Sequence, residues 1–420
     1  MTPSFPKTLV QTMQTLRRVS RILWVRVALI SALSVLAALS AEGLGPLIPD
    51  GPRDRFSEQA TLPILTILAN GMLAVATFSL GVMVSTHRTL AQQSTPRIHR
   101  LLMEDTSTQT MLATFIGAFV FALSSIILYR AGYYSDSASV IVFAATVFVV
   151  AAIVVSLVRW IGQLSKIGSL EYALLRAEQT AREILRQQRK LPRLGGRHLT
   201  GTPPKDVCSQ VTATSSGILR RIDMEELQRL AAASDTAVYV DHLPGDIVLR
   251  GQQVARVRGS ADPKPFSACF LLSTERTYEQ DPGYALQALR ESASKALSPG
   301  INDPKTAIDV IARLERLLWD WSKVQEDAPD PIFDRVYLDE LGADALVEAG
   351  FRDISRDGAA FGDVLQTLAE ALVRLRGPMA EPGRAVIDDL LADLRAHGEA
   401  GLMTDRERQR LSDRLTQLGC

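Results

Sequence analysis

The chain has 420 residues, 46 Lys+Arg balanced by 46 Asp+Glu, and 47% hydrophobic residues. Zero formal net charge argues against a dedicated nucleic-acid binder, which carries a basic excess, and against a highly charged disordered chain. Three cysteines (Cys208, Cys269, Cys420) and no Cys-x-x-Cys pair argue against a disulfide framework or a thiolate zinc site.

Residues 1–21 form a basic tail ahead of the first long apolar run. That run, Ile22 to Leu39, covers 18 residues and is broken by one charge, Arg26. Leu62 to Val84 (23 residues), Met111 to Leu128 (18) and Val140 to Val158 (19) carry none. About 20 apolar residues cross about 30 Å of hydrocarbon as a helix. Residues 22–161 therefore read as an all-α membrane domain of four transmembrane helices. The first run has a rival reading as a signal peptide. Its length, its long basic flank and Arg26 favour an uncleaved span.

Lys and Arg in the connections set orientation. Lys7, Arg17, Arg18, Arg21, Arg88, Arg97, Arg100, Arg159, Lys166 and Arg176 fall on one side, and Arg53, Arg55 and Arg130 on the other. Both termini are expected in the cytoplasm of a multi-pass inner-membrane protein.

The spans after the first contain no ionisable residue within their apolar runs, which argues against a proton relay. They do carry Thr66, Asn70, Thr77 and Ser124. Such residues hold helices together, or line a pore in a homo-oligomer, because four slim helices enclose little space alone.

Residues 162–204 read as a juxtamembrane basic helix and a linker. Arg176, Arg182, Arg186, Arg189 and Lys190 either face anionic lipid or belong to an ordinary packing helix. Pro192 and Gly195-Gly196 end it. Residues 205–272 turn to short Val- and Ile-rich segments with Gly at the breaks. Asp223, with Glu226 three residues on, caps the one helix expected there. Ser216-Gly217-Ile218-Leu219 and Pro244-Gly245-Asp246-Ile247-Val248 resemble the half-motifs of biotinyl- or lipoyl-type small barrels. The Met-Lys-Met hairpin is missing, so a barrel-like module without a cofactor is expected. With the helical stretch 273–420, this gives an α+β cytoplasmic domain. Asp281-Pro282 and Asp303-Pro304 each open a helix. Asp334 to Ala349, Phe361 to Arg376 and Arg384 to Ala396 also read as helical, and Thr404 with Glu407 caps the last helix.

The phrase Ala296-Leu297-Ser298-Pro299-Gly300-Ile301-Asn302-Asp303-Pro304-Lys305-Thr306-Ala307 resembles the bacterial predicted membrane proteins grouped as domain of unknown function 2254. Arg276, Gln280-Asp281, Pro96-Arg97, Gln109-Thr110 and Pro244-Gly245-Asp246 extend the resemblance in order over roughly residues 20 to 375. The resemblance implies this topology. It carries no reaction, ligand or cofactor.

The Ser298–Pro304 loop meets a helix N-terminus, where free N–H groups suit an anion. Ser298, Gly300, Asn302, Asp303, Lys305, Thr306 and Arg276 are the candidate ligand-binding residues for a small anion. The competing expectation is a turn that only caps the helix, with Asp303 on the cap. Phosphate-loop, dinucleotide, zincin and nucleophile-elbow motifs are all missing. The chain therefore leans away from an enzyme. Three readings follow: an oligomeric channel-like conduit with a cytoplasmic regulatory domain, a membrane-anchored sensor or scaffold, and, last, a lipid-acting enzyme. The lipid bilayer and further copies of the chain are its expected partners.

Neutrality hides a division. Residues 1–198 hold 20 Lys+Arg and 10 Asp+Glu, and residues 199–420 hold 26 and 36.

Overall fold

A computed structural model describes residues 23–44, 58–103, 106–164, 169–199, 208–323 and 330–419. The basic tail, the end of the linker and most of the connection between the first two apolar runs lie outside them. The chain divides into two compact units, Met1–Ala173 and Leu174–Cys420.

The first unit is helical: α1 (Leu23–Leu44), α2 (Glu58–Gln93), α3 (Pro96–Met103), α4 (Thr106–Arg130) and α5 (Asp136–Leu164). Four of these, all but the short α3, are long and apolar enough to cross a membrane. α4 is the central one, with half of its most apolar window buried against α1, α2 and α5. Phe115, Phe121 and Ala122 of α4 pack with Ala38, Leu65 and Val142. Gly117 allows the close approach of α1, since a Cβ there would lie 2.5 Å from Ile30 Cγ2. The other three helices turn large apolar side chains outward, among them Trp24, Leu33, Ile67, Phe78, Phe148 and Val158. A surface this apolar is stable against lipid rather than water. Arg26, the charge in the first run, donates to Thr110 Oγ1.

α6 (Leu170–Lys190) runs from the end of the first unit into the second. Its basic residues divide. Arg182 pairs with Glu178 and Asp320, and Arg189 donates to the Trp321 carbonyl at 2.6 and 2.9 Å. Arg176, Arg186 and Lys190 stay exposed. Glu178 also receives Arg313 at 2.9 Å, and both side chains are about nine-tenths buried. This buried ion pair fixes the later part of α6 to α10 (Pro304–Lys323).

The strands are β1 (Gly196–His198), β2 (Cys208–Thr212), β3 (Gly217–Ile222), β4 (Val238–Val240), β5 (Ile247–Val248), β6 (Gln253–Arg258), β7 (Phe270–Ser273) and β8 (Phe333–Leu338). They form two sheets, ordered β1-β8-β4-β6-β2 and β5-β3-β7. The expected barrel does not close. After β2 the chain bends at Ala213–Ser216, and β3 leaves to pair with β5 and β7. Among the described residues each sheet therefore keeps two unpaired edge strands. β8 also corrects the helical reading of Asp334 onward. Its side chains alternate between buried and less buried positions, with Val336 and Leu338 fully buried. It pairs in parallel with both β1 and β4. A parallel partner needs a long crossover, and the intervening helices supply it. α7 (Met224–Ala233) packs on β8, and Asp223 accepts from Glu226 N at 3.1 Å as its cap.

The remaining helices are α8 (Lys264–Ser267), α9 (Pro282–Leu297), α11 (Ala343–Phe351), α12 (Ile354–Asp357), α13 (Gly362–Arg376), α14 (Glu381–Gly401) and α15 (Asp405–Leu418). α9 buries Leu286, Leu289, Ala293 and Leu297, spaced three or four residues apart, against α10 and α11. The Thr404–Glu407 capping box forms as expected.

Candidate functional site

In α2, Thr66, Asn70 and Thr77 lie within about 40° of one another around the helix. All three are exposed on the unit's surface. Thr66 and Thr77 donate back to their own helix, to Leu62 O and Leu73 O. Asn70 has no hydrogen-bond partner among the described residues. Ser124, on α4, is half-buried and stands apart from this stripe.

The Ser298–Pro304 loop spends its polar groups on itself. Ser298 Oγ donates to Lys295 O at 2.6 Å. Asn302, at φ +54°, donates its N–H to Ser298 O, and Asp303 N donates to Ala296 O at 2.8 Å. The Asp303 carboxylate accepts from Thr306 N at 3.1 Å and Thr306 Oγ1 at 2.6 Å. Those bonds hold its carboxyl below the usual carboxylate range. Lys305 reaches the exposed Asp363 at 3.2 Å. Gly300 is exposed, with open space where a Cβ would stand. The helix N-terminus thus already holds an anion, its own cap.

Arg276 is not part of that loop. It lies at the opposite end of α9, about 24 Å away by helix length. There it binds Asp281 at 2.7 Å and Gln287 at 3.0 Å, with its guanidinium 5.0 Å from the Tyr284 ring centre. Asp281 caps α9 by accepting from Tyr284 N at 2.9 Å and is 3% exposed. Burial pushes its carboxyl above the ordinary value, against the pull of Arg276. Gly245, at φ +105°, closes the cluster: a Cβ there would meet Asp281 Oδ2 at 2.5 Å and Arg276 Nη2 at 2.8 Å. Gln280 brackets Ile222, accepting from its N–H at 2.9 Å. Pro244-Gly245-Asp246, Arg276 and Gln280-Asp281, scattered in sequence, meet here.

Two cavities lie in the α/β unit, the first bordering this cluster at Pro244, Gln280 and Pro282, and no sequence signal marked either. The first, about 420 Å³, is lined by Ile184, Leu191, Leu194, Pro244, Pro282 and Leu341, with Gln187, Glu279, Asp339 and Glu340 among its polar positions. The second, about 340 Å³, is lined by Lys190, Arg193, Arg197, His198, Asp330 and Tyr337. Lys190, Leu191 and Arg193 belong to both linings. Between them runs a left-handed turn with Arg193 at φ 53°, Leu194 at φ 51° and Gly195 at φ 85°.

Among the described residues no three His, Cys, Asp or Glu side chains gather as a metal group would require. Burial pushes the Cys269 thiol up to about 12, which makes it a poor nucleophile.

The family model described as "Predicted membrane protein (DUF2254)" matches residues 20–374. Two mycobacterial proteins are similar over a shorter stretch: uncharacterized protein Mb1321c of Mycobacterium bovis and uncharacterized protein Rv1290c of Mycobacterium tuberculosis. Each is 34% identical over 122 residues, 27% of this chain and 23% of the relative. The match thus spans about a quarter of the length of these relatives. No solved structure matches the chain.

Proposed function

This chain belongs to the predicted membrane protein family named domain of unknown function 2254, and on that premise we propose that it is a homo-oligomeric conduit in the bacterial inner membrane. Its four apolar helices cross the bilayer, and the excess of Lys and Arg on one side keeps both termini in the cytoplasm. The α/β unit is the regulatory part.

The observation that supports this reading is the exposed stripe of Thr66, Asn70 and Thr77 on α2. An amide facing hydrocarbon without a partner is costly. Packing α2 against α2 of further copies gives Asn70 an amide partner of its own kind. It also turns the neutral stripe toward a shared axis. The lining carries hydroxyls and an amide but no charge, so a path there selects weakly by charge and relays no proton.

The test is flux through purified protein in liposomes, with Asn70→Leu beside the parent. A conduit gives flux that falls in the variant. A silent preparation that stays monomeric in the bilayer ends the proposal. The sensor reading is favoured by a separate observation, the paired cavities of the α/β unit.

A further inference from the structure

We infer that the two cavities flanking the Lys190–Arg193 segment form one binding site for a single-tailed amphiphile with an anionic, phosphate-type head. The ligand is a monoalkyl or monoacyl phosphate in chemical class.

The head position follows from charge. Lys190 and Arg197 border the smaller cavity and have no ion-pair partner among the described residues. Arg193 joins them with one guanidinium nitrogen on Glu340 at 3.3 Å. His198 stands on the same lining, 3.6 Å from the Asp339 carboxylate, and Asp330 is the single acid in that lining. Cations gathered along a concave surface bind a phosphate through charge-assisted hydrogen bonds. Tyr337 offers a hydroxyl on the same wall.

The tail position follows from the larger cavity. Ile184, Leu191, Leu194, Leu243, Pro244, Pro282 and Leu341 give it an apolar wall beside a polar rim, and its 420 Å³ falls in the range of small-molecule pockets. Three acids stand at its edge: Glu279 pairs with Arg220, Glu340 with Arg193, and Asp339 lies 3.6 Å from His198. An apolar chain there displaces water from Ile184, Leu194 and Leu341, and the phosphate head at its end meets Lys190, which borders both cavities.

The turn between the cavities supports joining them. Arg193 and Leu194 hold the left-handed region that L-residues avoid. Strain of this kind persists where the surroundings over-determine it, often at ligand clamps. Here it sets Arg193 on the wall common to both cavities, while Gly195 passes within contact of Phe333.

The experiment is calorimetric titration of the full-length protein in zwitterionic nanodiscs, with empty nanodiscs subtracted. The probes are hexyl phosphate, inorganic phosphate and hexanol. Hexyl phosphate is expected to bind roughly a hundredfold tighter than inorganic phosphate, since each buried methylene adds several-fold. Arg197→Glu, at an exposed position, weakens hexyl phosphate by about tenfold or more. Gln187→Trp, also exposed, narrows the apolar cavity and removes the advantage of hexyl phosphate while sparing inorganic phosphate. Equal affinity for hexyl and inorganic phosphate overturns the two-part site. Equal affinity for hexyl phosphate and hexanol overturns the anionic head, and silence from all three probes overturns the whole inference. Nanodiscs doped with phosphatidic acid identify the source: competition points to a bilayer lipid, unchanged affinity to a free solute, and either supports the head chemistry. Binding is read without flux, so this inference and the conduit reading fail separately.

Discussion

The two units solve the burial of polar groups in opposite ways. In the first, apolar side chains face outward and hydroxyls such as Thr66 and Thr77 bond back to their own helices. In the second, charges are taken inside and paired: Glu178 with Arg313, and Asp281 with Arg276. The difference teaches where each unit is vulnerable. A membrane helix depends on shape at its contacts. The α/β unit depends on partners that cannot be removed singly without leaving a buried charge.

The comparison predicts a graded series of losses. Glu178→Ala removes the buried partner of Arg313, leaving it the more exposed Asp309 at 2.7 Å, and is expected to cost ~3 kcal/mol, read as a lower unfolding midpoint of the α/β unit. A near-neutral result would mean that water or Asp309 satisfies Arg313, and the contrast between the units would fail.

Arg276→Met leaves Asp281 buried without its cation and should cost ~3 kcal/mol near neutral pH. The sign with pH is definite. Asp281 already has a raised carboxyl pKa in the fold, so the native state holds its proton more tightly than the unfolded chain. The variant raises it further. Its deficit should grow as pH climbs through and above the carboxylate range, and shrink in acid. Urea unfolding across pH checks this, and a deficit independent of pH would contradict it.

In the first unit, Gly117→Leu should cost ~1–3 kcal/mol through the clash with Ile30 and Ser34. Thermal unfolding in detergent tests it, with little dependence on pH or salt expected. A strong salt dependence would blur the distinction between the units.

Asp303→Ala removes a helix cap, for a loss of ~1 kcal/mol in chemical unfolding. The Asp303 carboxyl is held low by Thr306, so its stabilisation is present above the ordinary carboxylate pKa. It fades as pH falls through the lowered value. Parent and variant should converge only in strong acid.

The smallest effect belongs to Asn70→Leu, ~0.6 kcal/mol per lost interhelical hydrogen bond. It should weaken association of labelled copies, measured by energy transfer in a bilayer, and leave monomer unfolding nearly unchanged. Equal association in parent and variant would detach Asn70 from any subunit contact.

Features carried by neighbouring residues were legible in the sequence. The four apolar runs stand as helices, and Asp223, Asp281, Asp303 and Thr404 cap the helices they precede. Each cap bonds three residues ahead, so its chemistry is complete within a short window. The family match at residues 20–374 agrees with the extent read from the loop phrase and its companion motifs. Misread were features whose meaning lies far along the chain. Phe333–Leu338 carries an acid and an arginine that suit an exposed helix, yet it is a strand because β1 and β4 offer parallel edges. The short Gly-punctuated strands suggested closure, but closure depends on which edges meet.

The sequence by itself determined where apolar mass, charge and helix ends fall, because periodicity and capping are local. Tertiary structure alone decided that Arg276 serves Asp281 rather than the Ser298–Pro304 loop. It alone brought Gly245 against that pair and set Lys190, Arg193 and Arg197 around one cavity. The physical reason is that a buried charge, a close backbone approach and a cavity are each made by residues from several elements. Even Arg276 and Asp281, five residues apart, meet under Gly245 from a distant loop.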